Sequence, residues 1–300
     1  MKRLFTLVLS MLLLLGVSTS AQALVIFNDW SLNLDTVGEA GLTGQVDNIN
    51  QILFDGIAYS QTNDTNGDGI PGIGEIGATD GLLASYMYTE TPGSPAPTTE
   101  SWGFEMTFTY SMNSVGIDPA TGSNYEHLAA GTTLSGSDAY LQRDGMLYVY
   151  IDASADADTT DGSGFSDGTL IAKFALVAGV GGQFSTVTMD GHDDATYELV
   201  WALDNVLLDS YGNDLQDSIG TDAASITITD TNFDGDDDAN GMYDSTYGSW
   251  NPGTQSSTNF IASLNGSGGM GGSAVPEPAT ILLFGFGLLG VAGISRRKKG

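Results

Sequence analysis

The sequence contains no cysteine. That excludes disulfides, thiolate zinc sites and iron–sulfur clusters together. Histidine is nearly absent too: only His127 and His192 occur, far apart in the chain. Basic residues are few, with 8 Lys and Arg against 37 Asp and Glu. Lys2, Arg3, Arg296, Arg297, Lys298 and Lys299 crowd the two ends, so Arg143 and Lys173 are the only cations between them. Residues 24–275 hold every acidic residue except Glu277, and their formal charge is −34 (2 basic against 36 acidic residues). Such a surface repels phosphate backbones, which argues against nucleic acid as a partner. It attracts divalent cations, whose binding relieves the self-repulsion. Long helical periodicity and long apolar runs are missing everywhere except at the ends.

At the amino end, Lys2 and Arg3 precede a mostly apolar run from Leu4 to Val17. The run is shorter than the roughly 20 residues of a spanning helix. Ala21 and Ala23 place small residues at the two positions a signal peptidase reads. The pattern predicts a cleaved signal peptide over residues 1–23 and an exported chain.

At the carboxyl end, Pro276-Glu277-Pro278 precedes an apolar segment over 279–294, and Arg296, Arg297, Lys298 and Lys299 follow. This order resembles the PEP-CTERM sorting signal. The resemblance implies an exosortase, a membrane-embedded cysteine protease that cuts near the triplet and passes the mature chain outward. The physics suits a temporary anchor. The 16 residues of the segment make about 24 Å of helix, short of a roughly 30 Å hydrocarbon core. Gly285, Gly287, Gly290 and Gly293 loosen it further. The basic cluster belongs on the cytoplasmic side and everything before Pro276 outside it. One C-terminal transmembrane sorting helix is therefore expected, with a surface or extracellular destination after processing.

Between the ends, strand-like runs alternate with turn clusters. From Gly103 to Met112, Phe104, Met106, Phe108 and Tyr110 alternate with Glu105, Thr107 and Thr109, the period of a half-buried strand. Other runs cover residues 24–27, 52–59, 82–88, 146–151, 169–177, 184–189, 197–203 and 225–229. Arg143-Asp144-Gly145 reads as a hairpin turn. Many short strands with Asp-Gly and Gly-rich turns predict an all-β domain over 24–264, as a β-sandwich or jelly roll. The Gly- and Ser-rich stretch that follows, residues 265–275, reads as a flexible linker. Residues 276–300 are the sorting signal.

One internal motif carries chemistry. Asp64, Asn66, Asp68, Gly69 and Glu75 fit a twelve-residue calcium loop at every specified position. Calcium takes six to eight oxygens. Asp64, Asn66 and Asp68 supply side-chain oxygens, Ile70 a carbonyl, and Glu75 two oxygens that close the site. Pro71 and the non-helical flanks depart from an EF-hand, so the expectation is a lone loop between β elements. A second stretch, with Asp230, Asn232, Asp234 and Asp236, begins alike but has Gly241 at position twelve. Asp156, Asp158 and Asp161 read as a solvated acidic loop. Calcium, in a structural role, is the expected cofactor.

No catalytic residue is assigned. Gly164-Phe165-Ser166-Asp167-Gly168 spells Gly-x-Ser-x-Gly but leads into a strand-like run, whereas a nucleophile elbow leads into a helix. It reads as a turn, and each histidine reads as sitting on a solvated loop. The stretches Tyr197–Trp201 and Asp167–Phe174 resemble flocculation-associated PEP-CTERM proteins, which implies a role in cell aggregation, biofilm or exopolysaccharide association, with polysaccharide or neighbouring cells as partners. A carbohydrate-binding module is the alternative, with Trp102, Trp201 and Trp250 as stacking faces. A secreted glycoside-active enzyme is third, since so acidic a chain lets any carboxylate pair be imagined.

Overall fold

Period-two alternation runs through strands far longer than the sequence pattern suggested. In the computed structural model, the described residues are 25–26, 29–63, 65, 72–90, 99–118, 123–158, 162–177, 181–185, 190–219, 224–236 and 257–272. Residues 26–272 make one unit, and residues 1–25 with 273–300 another. The signal peptide, the apolar segment 279–294 and Trp250 lie outside the described residues. Among the described residues, no helix is long and apolar enough to cross a membrane.

The strands are β1 (Val25–Ile26), β2 (Trp30–Asn33), β3 (Gln45–Asn63), β4 (Ile76–Glu90), β5 (Thr99–Asp118), β6 (Ser123–His127), β7 (Met146–Asp152), β8 (Thr169–Leu176), β9 (Gln183–Ser185), β10 (Asp190–Ala202), β11 (Leu207–Leu208), β12 (Ala224–Asp236) and β13 (Ser257–Gly272). Eight of them run antiparallel in the order β3-β4-β5-β7-β8-β10-β12-β13, and β13 pairs back onto β3. The sheet is therefore a closed barrel, which overturns the sandwich or jelly roll.

Closure depends on the segment whose composition reads as a linker. Residues 265–272 are strand, with Asn265 opposite Asp55 and Gly269 opposite Gln51 on one side. On the other side, Gly266 faces Asp230 and Gly272 faces Ala224. Glycine makes an isolated chain flexible, but here the backbone is bonded on both flanks, and ladder pairing outweighs propensity.

The barrel interior is filled by one side-chain set per strand. Phe104, Met106, Phe108 and Met112 of β5, Leu147, Val149 and Ile151 of β7, Phe174 of β8, Tyr197 and Leu199 of β10, and Ile226 of β12 are all buried in one core. A void of about 20 Å³ remains beside Met112, Asp193 and Tyr197, about enough for one water. The outer face carries the exposed Gln51, Asp55 and Glu198. An apolar inside and a polar outside reverse the pattern of a barrel embedded in lipid. Trp30, Leu32, Leu34, Val37, Leu42, Val206 and Leu207 extend the core.

The loop between β7 and β8 is anchored to the outer wall by Phe165, while Asp156, Asp158, Ser166 and Asp167 are exposed. Phe165 packs on Leu82 and Ala84 in a second, smaller apolar cluster. Its carbonyl accepts from Thr107 Oγ1 at 3.0 Å. Gly164 makes this turn possible: its φ is +78°, and a Cβ there would lie 2.6 Å from the Asp156 carbonyl oxygen.

Candidate functional site

Side chains that alternate out of the barrel line up across neighbouring strands. One row runs Leu82, Thr109, Tyr148, Lys173, Trp201, each opposite the next on β4, β5, β7, β8 and β10. A bulge between Leu199 and Trp201 resets the alternation on β10, and Val200 and Trp201 both escape the core. The Lys173 ammonium stands 5.8 Å from the Tyr148 ring centroid and 5.6 Å from that of Trp201, within cation–π range.

An open cleft of about 640 Å³ adjoins this row, lined by Asp80, Thr109, Ser111, Arg143, Asp144, Tyr148, Tyr150, Phe165 and Ser166 among others. Arg143 Nε lies 2.9 and 2.8 Å from the two Asp80 carboxylate oxygens. Burial raises the Asp80 pKa, and the Arg143 guanidinium only partly offsets this. Asp144 accepts from Ser111 Oγ, from the Met146 amide at 3.0 Å and from Tyr148 Oη at 3.3 Å. Both cations of the 24–275 region thus sit on one wall of the barrel, a grouping that sequence distance hides.

The calcium loop joins β3 to β4. Asp64, Asn66, Asp68 and Ile70 lie outside the described residues. Glu75 does not stand open to solvent: it is buried. Its Oε1 accepts the Thr65 amide and hydroxyl, each at 2.7 Å, and its Oε2 accepts the Gly72 amide at 2.7 Å. Both oxygens expected to close an ion site are engaged in holding the loop's own backbone. The loop also seats on β5, where the Gly74 amide donates to the Gly116 carbonyl at 2.8 Å. The second stretch is not a loop. Residues 230–236 belong to β12, with Asp234 opposite both Asp190 and Ser263 and a bulge between Asp230 and Asp234. Extended backbone sets alternate residues about 6.8 Å apart, unlike a loop wrapped around an ion. Asp156 and Asp158 are exposed, as a solvated acidic loop requires, and Asp161 lies outside the described residues. Among the described residues, Asp152, Asp156 and Asp167 converge, with ligand atoms within 4.8 Å of one another.

The histidines are not on solvated loops. His127 ends β6 fully buried, with Nε2 2.9 Å from Asp193 Oδ1. Among the described residues, its buried Nδ1 has no hydrogen-bond partner. His192 is in β10, opposite Gln183. Gly164–Gly168 is a turn leading into β8, as its sequence suggested. Of the tryptophans, Trp102 is core: it stacks on Tyr88 at 4.3 Å and donates Nε1 to Ser85 Oγ at 2.9 Å. Only Trp201 faces outward among those described from the stacking set.

The processing residues Ala21, Ala23, Pro276, Glu277, Pro278, Arg296 and Arg297 lie outside the described residues, and comparison with known families speaks for the C-terminal ones. A family model described as the PEP-CTERM protein-sorting motif matches residues 274–298. This chain carries a PEP-CTERM sorting signal. The signal marks an exported protein that an exosortase processes at its C-terminal end. Only three residues separate Gly272, the last of β13, from the PEP-CTERM triplet at Pro276. No curated protein and no solved structure matches the chain.

Proposed function

We propose that this PEP-CTERM protein is a non-catalytic component of the cell surface or extracellular matrix, supporting cell aggregation or exopolysaccharide association. The observation that carries the reading is a sorting signal that follows, three residues on in the sequence, a barrel whose interior is packed with side chains. A filled barrel offers no lumen for a substrate, so what it presents to partners is its outer wall and loops. Signal peptidase removes residues 1–23, and exosortase acts near Pro276-Glu277-Pro278. The test is genetic. A strain lacking the chain should lose flocculation or matrix retention, and Pro276→Ala with Pro278→Ala should leave an unprocessed, mislocated product. Normal flocculation in the deletion strain, with and without calcium, rejects the reading.

Calcium enters as a structural ion at the β3–β4 loop, supported by the full motif match over Asp64–Glu75. The Glu75 arrangement bears against bidentate closure, so the ion's remaining ligands are Asp64, Asn66, Asp68 and Ile70, with affinity in the range of about 10⁻⁴–10⁻³ M usual for extracellular modules.

A further inference from the structure

The Lys173 side chain is costly to explain as mere surface. In a chain with 37 acidic residues, it forms no salt bridge among the described residues. It lies instead between two aromatic rings on the outer wall. Strands sit about 4.8 Å apart, so Tyr148 and Trp201, two strands from one another, present platforms separated by about 10 Å.

We propose that this wall, from the Arg143 cleft to Trp201, is a binding groove for a neutral polysaccharide. Three features point to that chemistry. Aromatic faces stack against the C–H faces of pyranose rings, and Tyr148 and Trp201 are half-buried and turned outward. Beside Tyr148, in the cleft, stand polar groups already held in place. Arg143 is fixed by Asp80, and Asp144 is fixed by Ser111 and the Met146 amide. Fixed donors and acceptors beside an aromatic platform suit vicinal hydroxyls, and preorganisation lowers the ordering cost of binding. Charge then selects the class of glycan. Arg143 is paired with Asp80, and Lys173 stands over the Tyr148 ring whose hydroxyl donates to Asp144, so two cations and two carboxylates leave the groove locally near balance. The surrounding region carries −34 and repels polymers bearing uronate or phosphate.

The inference rests on the matrix reading for its biological setting, but the two fail separately. The test uses the full chain, purified in detergent, in affinity electrophoresis against a soluble β-glucan, a galactomannan and polygalacturonate. A neutral polymer should retard the protein and the uronate polymer should not. Trp201→Ala, Tyr148→Ala and Lys173→Ala should each weaken binding about tenfold, with Trp201→Phe restoring most of it and melting temperatures confirming that each variant is folded. The groove is rejected if neither neutral polymer binds, if polygalacturonate binds better, or if the folded wall variants bind like the parent. Binding that passes these tests in a protein whose deletion leaves flocculation intact upholds the groove and rejects only the aggregation role.

Discussion

The Glu105 carboxylate accepts the Ala157 amide at 3.1 and 3.3 Å while lying wholly buried beneath the β7–β8 loop. Burial is the main reason its pKa is raised; the Ala157 and Tyr86 hydrogen bonds pull the other way. Burial and the same carboxylate push the Tyr86 phenol up to about 12.

A pH dependence follows from Glu105 and Asp80 together, both raised chiefly by burial. A carboxyl whose pKa is higher folded than unfolded binds its proton more tightly in the native state. The stability this brings is full below the ordinary carboxylate value and is lost as pH rises through the raised one. The melting temperature should therefore climb as pH falls from neutrality toward the ordinary carboxylate range. Asp209 has the opposite shift: although burial raises it, hydrogen bonds from Asn213, Tyr211 and Gly212 hold it lower overall, so its contribution is lost only below the ordinary range. Glu105→Gln should flatten the climb and raise the melting temperature near neutrality. Thermal denaturation across pH measures both, and an unchanged slope in the variant contradicts the assignment.

Glu75 acts as a staple for the β3–β4 loop, so its loss should hurt with or without an ion. Glu75→Ala leaves the Thr65 and Gly72 amides without their acceptor and should cost about 3 kcal/mol in urea unfolding. Calcium at about 1 mM should raise the melting temperature of the parent chain by mass action. Asp64→Asn with Asp68→Asn should abolish that rise while leaving calcium-free stability nearly unchanged. A parent chain indifferent to millimolar calcium removes the ion from the loop.

Truncation separates a closing strand from a linker. A chain ending at residue 264 would be as stable as one ending at 272 if the stretch were a tether. Because residues 265–269 pair with β3 and residues 266–272 with β12, deleting 265–272 should open both edges and expose the core. The expected outcome is a large loss of cooperativity and aggregation through the bared strands, read by circular dichroism and size-exclusion chromatography.

Glycine substitutions should split by backbone contact. A Cβ on Gly116 would stand 2.1 Å from the Gly72 carbonyl oxygen, whereas one on Gly269 meets nothing within 4 Å. Gly116→Ala should cost about 1–3 kcal/mol by prying the calcium-motif loop off β5. Gly269→Ala should be within about 0.5 kcal/mol of the parent. Denaturant midpoints of the two variants make the comparison.

Much of the strand pattern was legible in residue order. Phe104, Met106 and Phe108 point inward as their alternation implied, and Leu82–Tyr88 is strand within β4. The site was less legible. Trp102 and Trp201 look alike in sequence, yet a neighbouring Tyr88 buries one and a bulge turns the other outward. His127 gave no sign of burial, because its partner Asp193 is 66 residues away. The acidic stretch at 230–236 looked like a loop because Asp and Asn favour turns locally; pairing on both sides holds it extended.

Local order by itself determined what depends on neighbours along the chain. The sorting signal is a contiguous pattern, the strand periodicity is set by the alternating pleat, and the missing cysteines bar a whole class of chemistry. Tertiary structure alone decided what depends on partners far away in the chain. Closure of the barrel, the ordering of a glycine-rich strand, the capture of Glu75 by its own loop, and the gathering of Arg143 and Lys173 on one wall all come from hydrogen bonds and packing between distant segments. Those contacts leave no periodic trace in residue order, because each is satisfied by whatever strand happens to lie alongside.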